Sequence, residues 1–100
     1  MATIETVHFQ LNDGVDQDKF LKQNAYVEHN FVAQQPGFVS RETAHSEDGK
    51  DWVVVLHWER PEDAQGSMDK FVAAQETKEF TSMIDMDTFK MTRYVKVDVT

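Results

Sequence analysis

There is no cysteine among these 100 residues, which removes thiol nucleophiles, thiolate metal sites and any disulfide framework. Basic residues are few: ten Lys and Arg stand against eighteen Asp and Glu, for a net charge of −8. Nucleic-acid affinity comes largely from cations neutralising phosphates, and the ten are scattered along the chain, so no nucleic-acid partner is expected. No run approaches the roughly 18 apolar residues of a membrane span. The opening "MATIETVHFQ" lacks the basic region and apolar core of a secretory signal. A cytoplasmic protein with no membrane partner is the expectation. Also absent are a Gly-x-Ser-x-Gly nucleophile turn, a glycine-rich phosphate loop and a dinucleotide fingerprint.

What is present is a folded core. Hydrophobic residues make up 40% of the chain, with seven Phe and two Trp, enough for one domain spanning residues 1–100. "TIETVHFQL" (3–11) is rich in β-formers and closes on "NDG", so it reads as strand one. From Val15 the period changes: Phe20, Asn24, Val27 and Phe31 share a narrow arc, with Leu21 and Val32 on its flank. This predicts an amphipathic helix over 16–34, with Asp13 or Asp16 near its start and Pro36-Gly37 ending it. "FVSRETA" (38–44) is strand two, Asp48-Gly49 the tip of a hairpin turn, and "DWVVVLHW" (51–58) strand three. Pro61 opens helix two, with Glu62 and Asp63 in its first turn and Ala64, Met68, Phe71 and Val72 on its apolar face. Phe80, Met83 and Ile84 suggest a further short helical piece, and "TFKMTRYVKV" (88–97) is strand four.

The order βαββαβ predicts an α+β, ferredoxin-like fold: a four-stranded antiparallel sheet with two helices on one face. Strand three, however, is apolar on both sides. Trp52, Val54, Leu56 and Trp58 alternate with Val53 and Val55, and two helices cover only one face of a sheet. An exposed apolar patch marks an interaction site, and the simplest partner is a second copy, so a homodimer through the sheet face is expected.

The stretches "QPGFVSRETA", "VVVLHWERPEDA", "EFTSMID" and "FKMTRYVKV" together resemble the antibiotic biosynthesis monooxygenase-like family of dimeric α/β barrels. The resemblance runs over almost the whole chain. Its signature is loose: Pro-Gly-Phe before strand two, and Trp-Glu-x-x-Glu-Asp-Ala where strand three enters helix two. The family includes cofactor-independent oxygenases of polyphenols and quinols, haem-degrading enzymes and isomerase-like enzymes. The haem-degrading branch uses an Asn on strand one and a Trp and His on helix two. Aligned on Trp58-Glu59, those positions fall near Val7, Ser67 and Thr77, none of which matches. Many relatives also carry a His in helix two where this chain has Met68-Asp69-Lys70, and Arg60 stands where a Ser cap is usual.

Several residues carry possible chemistry. His57, on the Val53 and Val55 side of strand three, is either an interface histidine or a proton acceptor. His8 on the neighbouring strand could lie beside it, but a third ligand is not evident and no metal is expected. Asn24 sits in the helix-one stripe where Leu would be expected. It is either a satisfied structural amide or a cavity group binding a carbonyl or phenol oxygen. Gln75, in line with Ala64, Met68 and Phe71, raises the same question. Trp58 is a core residue or an aromatic pocket wall. Arg93 follows Phe89 and Met91 at strand spacing, so it needs an anion: either an acid across the dimer or a substrate enolate. Tyr94 points to the other face, as edge packing or a pocket hydroxyl. Catalytic roles thus fall to His57 and Arg93, and substrate contacts to Asn24, Trp58, Met68, Gln75 and Tyr94.

The function expected is a cofactor-independent oxygenase, or a related isomerase, acting on a quinol, polyphenol or similar carbon acid. The alternative is a non-catalytic dimeric barrel, ligand-binding or stress-responsive, whose cavity only holds a small apolar or aromatic molecule. No cofactor is expected in either case.

Overall fold

A computed structural model describes residues 2–98. Strand β1 (Thr3–Leu11) leads into α1 (Gln17–Asn30), a 3₁₀ turn (Val32–Gln34), β2 (Phe38–His45) and β3 (Trp52–Trp58). Then come α2 (Pro61–Phe71), a second 3₁₀ turn (Gln75–Thr77), α3 (Lys78–Ser82) and β4 (Ile84–Val95). The sheet order is β2-β3-β1-β4, antiparallel throughout. This is the α+β, ferredoxin-like arrangement expected from the order of elements.

Local chemistry sets the helix starts. Asp16 caps α1 by accepting the Asp18 amide at 2.8 Å. Pro61 occupies the first turn of α2 with Glu62 and Asp63 beside it. Arg60 provides no side-chain cap there; it reaches forward to the Asp63 carboxylate instead, at 3.2 and 3.3 Å.

Alternation sorts the sheet residues into two faces. Trp52, Val54, Leu56 and Trp58 are buried under the helices, against Phe20 and Val27 of α1 and Ala64 of α2, all fully enclosed. Phe20 is the centre of this core: its ring lies 5.0 Å from Trp52, 5.3 Å from Phe80 and 5.8 Å from Phe9. Such offset and edge-on aromatic pairs add to the burial itself. Val53, Val55 and His57 occupy the other face, each half-buried.

Four expectations change. The first helix is shorter than 16–34, because the backbone turns at Phe31 (φ −131°, ψ −66°) into the 3₁₀ turn that buries Val32; Leu21, on the predicted flank, is exposed. Helix α2 stops at Phe71, which turns Val72 outward and takes Gln75 off the helical face. Ile84 belongs to β4, which starts earlier than position 88 and pairs Ile84 with Leu11. Asp85 and Asp87 form an irregularity inside that strand: the Asp87 amide donates to Asp85 Oδ1, and Thr88 Oγ1 accepts the Gln10 amide. Finally, His8 pairs with Val53 and His57 with Ile4, so the two histidines are four residues apart along β3 and do not adjoin.

Candidate functional site

A cavity of about 460 Å³ opens between the inner face of the sheet and the helices. Its floor is Val7 and Phe9 of β1, Val54 and Leu56 of β3, and Phe89 of β4. Met68 and Phe71 of α2 and Phe80 of α3 roof it, and Val32 closes one side. Val72 and Met86, both exposed, line it together with Lys78, Thr81 and Ser82, which places the mouth between the end of α2 and the start of β4. Burying so much apolar wall around open space forgoes packing that a filled core would have, a cost that ligand sites carry.

Charged groups share one row of the sheet, and two of them, Arg41 and Glu5, line the cavity. The register places Arg41, Leu56, Glu5 and Arg93 side by side across the four strands. Glu5 is 3% exposed and lines the cavity. Its Oε2 accepts Arg93 Nε at 2.8 Å and its Oε1 accepts Trp58 Nε1 at 3.3 Å. Arg93 also donates to Gln65 Oε1 of α2 at 2.6 Å, while its Nη2 is buried without a hydrogen-bond partner. A buried carboxylate needs this kind of compensation.

Arg41 stands two strands away, about 10 Å across the ladder from Glu5. Its side chain is 4% exposed and lines the cavity. Two residues of α1 hold it: Asn24 Oδ1 accepts from Nη2 at 2.7 Å, and Glu28 Oε1 from Nη1 at 3.3 Å. Asn24 in turn donates to Thr43 Oγ1 at 3.1 Å. Burial draws the Arg41 pKa below its usual value, against the hydrogen bond and charge of Glu28, which raise it. The group stays cationic, as guanidinium does in proteins.

The residues expected from sequence divide accordingly. Met68 lines the cavity. Asn24 and Trp58 stand behind the wall, bonded to Arg41 and Glu5 respectively. Arg93 has an anion within its own chain, Glu5. Gln75 is exposed on the second 3₁₀ turn. His57 and Tyr94 lie on the opposite face of the sheet, where His57 Nε2 is 4.0 Å from Glu42 and Tyr94 is exposed. No histidine lines the cavity. Among the described residues no group of three or more His, Cys, Asp or Glu is placed to hold a metal ion.

Two site residues were missed. Glu5 shares the period-two phase of Val7 and Phe9, so the alternation of β1 already points it inward. Arg41 gives no such signal. Strand β2 carries one extra residue between Phe38 and Ser40 relative to β3, a bulge that brings both Phe38 and Arg41 to the inner face.

No family model and no curated relative matches the sequence. Solved structures do match in shape. SnoaB, a cofactor-independent oxygenase from Streptomyces nogalater, superposes with a TM-score of 0.76 at 15% identity, over 98% of this chain and 95% of that one. A monooxygenase from the gene ActVA-Orf6 of Streptomyces coelicolor, solved in complex with the ligand nanaomycin D, gives 0.75 at 18%, over 99% and 90%. A candidate antibiotic biosynthesis monooxygenase from Chloroflexus aurantiacus gives 0.75 at 13%, over 100% and 97%. The chain has the antibiotic biosynthesis monooxygenase fold. At these identities the likeness concerns architecture, and any activity has to be argued from the cavity.

Proposed function

We propose that this chain is an oxygenase that takes a small aromatic carbon acid, such as a quinol, into the cavity between sheet and helices. The observation that carries this reading is the pairing of an apolar chamber with one buried carboxylate, Glu5, on its floor. Each Glu5 oxygen accepts one protein hydrogen bond and keeps a further lone pair, so the carboxylate is oriented yet able to accept a proton. In the proposed reaction Glu5 takes a proton from the substrate, from a quinol O–H or an anthrone-type C–H, and the electron pair of that bond stays on the substrate as a phenolate or enolate. Negative charge thereby passes from Glu5 to the substrate, and the Arg93 guanidinium, held behind the lining by its bond to Glu5, attracts it there. The anion gives one electron to molecular oxygen, and the two radicals combine to form a C–O bond. Glu5 returns its proton to the peroxide, and loss of the remaining proton on the oxygenated carbon with cleavage of the O–O bond leaves a carbonyl and one water, the substrate being the reductant and oxygen the oxidant.

A second reading has its own support. Both Glu5 oxygens are already engaged, which suits a protein that only binds its ligand. The two are separated by oxygen uptake and product analysis across a panel of hydroxynaphthalenes and anthrones. Turnover that falls roughly 10²–10⁴-fold in Glu5→Gln, with ligand binding retained, supports the oxygenase. Binding without turnover in the unaltered protein refutes it.

The protein is further proposed to act as a homodimer through the outer face of the sheet, where Ile4, Val53, Val55 and His57 lie together. Among the described residues no helix is long and apolar enough to cross a membrane.

A further inference from the structure

We infer that the cavity selects ligands carrying an acid group, which Arg41 anchors about two strand spacings, roughly 10 Å, from Glu5. This inference rests on the cavity being the ligand site. Its first support is a charge inversion. The chain as a whole has eighteen acidic residues against ten Lys and Arg, yet the charged residues lining the cavity are two cations, Arg41 and Lys78, and one acid, Glu5. Arg93 meets that acid and Glu28 meets Arg41 in part, so the lining itself carries one more cation than acid inside an acidic protein.

The second support is the way Arg41 is held. A guanidinium only 4% exposed in an apolar wall is costly unless its charge is met. Its partners meet it incompletely: Asn24 is neutral, and Glu28, at 3.3 Å, is itself 34% exposed and screened by water. Both approach from α1, and the Arg41 side chain lines the chamber. Two of its five N–H donors are used in these bonds. A carboxylate or phenolate entering the cavity would supply the missing counter-charge with a planar two-point match. Lys78, exposed on the mouth, favours the entry of such an anion.

The geometry then defines the ligand class. An acid group on Arg41 and a reacting carbon at Glu5 require a rigid apolar body spanning the Leu56 ridge between them. Two or three fused rings meet that requirement. Binding energy taken up at the acid end would hold the distant carbon in place.

The test uses an isosteric pair, 2-naphthoate and 2-naphthamide, titrated calorimetrically into the unaltered full-length protein and into Arg41→Gln. The naphthoate is expected to bind at least tenfold more tightly, and Arg41→Gln to bring the two within about twofold while the amide keeps its affinity. Should Arg41→Gln not fold, as judged by circular dichroism, Arg41→Lys retains the charge and must retain the preference. The comparison in the unaltered protein needs no variant. Equal binding of acid and amide there overturns the inference and leaves the cavity as the ligand site. Failure of both compounds to bind overturns the cavity reading as well.

Discussion

Replacing Gly37 by alanine probes how the turn before β2 is seated on α2. Gly37 has φ +78°, and a Cβ built on it would fall onto the Asp63 carboxylate and 2.7 Å from the Asp63 Cβ. Asp63 cannot easily withdraw: its side chain is 7% exposed and paired with Arg60. The left-handed backbone costs an L-residue about 1–2 kcal/mol. Overfilling a packed site adds about 1–3 kcal/mol, so Gly37→Ala should lose about 2–5 kcal/mol, a large part of a small domain's stability. Gly49 supplies the control, with φ +77° and nothing within 4 Å of its added Cβ; Gly49→Ala should lose only about 1–2 kcal/mol. Urea unfolding followed by tryptophan fluorescence reads both, and Gly37→Ala combined with Asp63→Gly, which removes the Cβ as well, should recover part of the difference between them. If Gly37→Ala is no worse than Gly49→Ala, the close approach to Asp63 does not constrain the fold.

Asn24→Leu removes the acceptor of Arg41 and the donor to Thr43. It should destabilise by about 1–3 kcal/mol in thermal or urea unfolding, whereas a neutral or stabilising result would mean that this amide does not hold Arg41. Val55→Asp places a charge on the outer sheet face, where Val55 is half-buried. If that face joins two copies, sedimentation at micromolar concentration should show the unaltered protein at twice the 11.6 kDa chain mass and Val55→Asp at the chain mass, because the substitution buries an unpaired ion. A monomeric unaltered protein contradicts the dimer.

Much of the scaffold could be read from residue order because local signals agreed with one another. The run of β-formers in 51–58, Pro61 at a helix start and the stripe of Phe20, Val27 and Phe31 each mark an element without reference to the rest of the chain, although 51–58, apolar on both sides, left its inner face open. Legibility failed where a residue's face depends on its neighbour strand. The bulge at Val39 exists only as a mismatch between β2 and β3, so the inward turn of Arg41 has no trace in the sequence of β2 alone. Arg93 illustrates the middle case: spacing showed that it faces inward and needs an anion, but finding Glu5, 88 residues away, required the β1–β4 register. The cavity itself was beyond reach, since it is volume left unfilled between elements and no single residue encodes it. Asn24 looked like a cavity group because it interrupts an apolar stripe. The interruption serves Arg41, one layer behind the wall.

The central claim, that ligand enters between the helices and the sheet, is tested most directly by methyl chemical-shift mapping during titration with 2-naphthoate. Met68 and Met86 line the cavity from α2 and β4, and Val7, Val32, Val54 and Val72 line it from four other segments. Val53 and Val55 report from the opposite face of the sheet. Saturable shifts are expected in the first group with Val53 and Val55 unmoved; shifts confined to Val53 and Val55 would place the ligand on the outer face and contradict entry between the helices and the sheet.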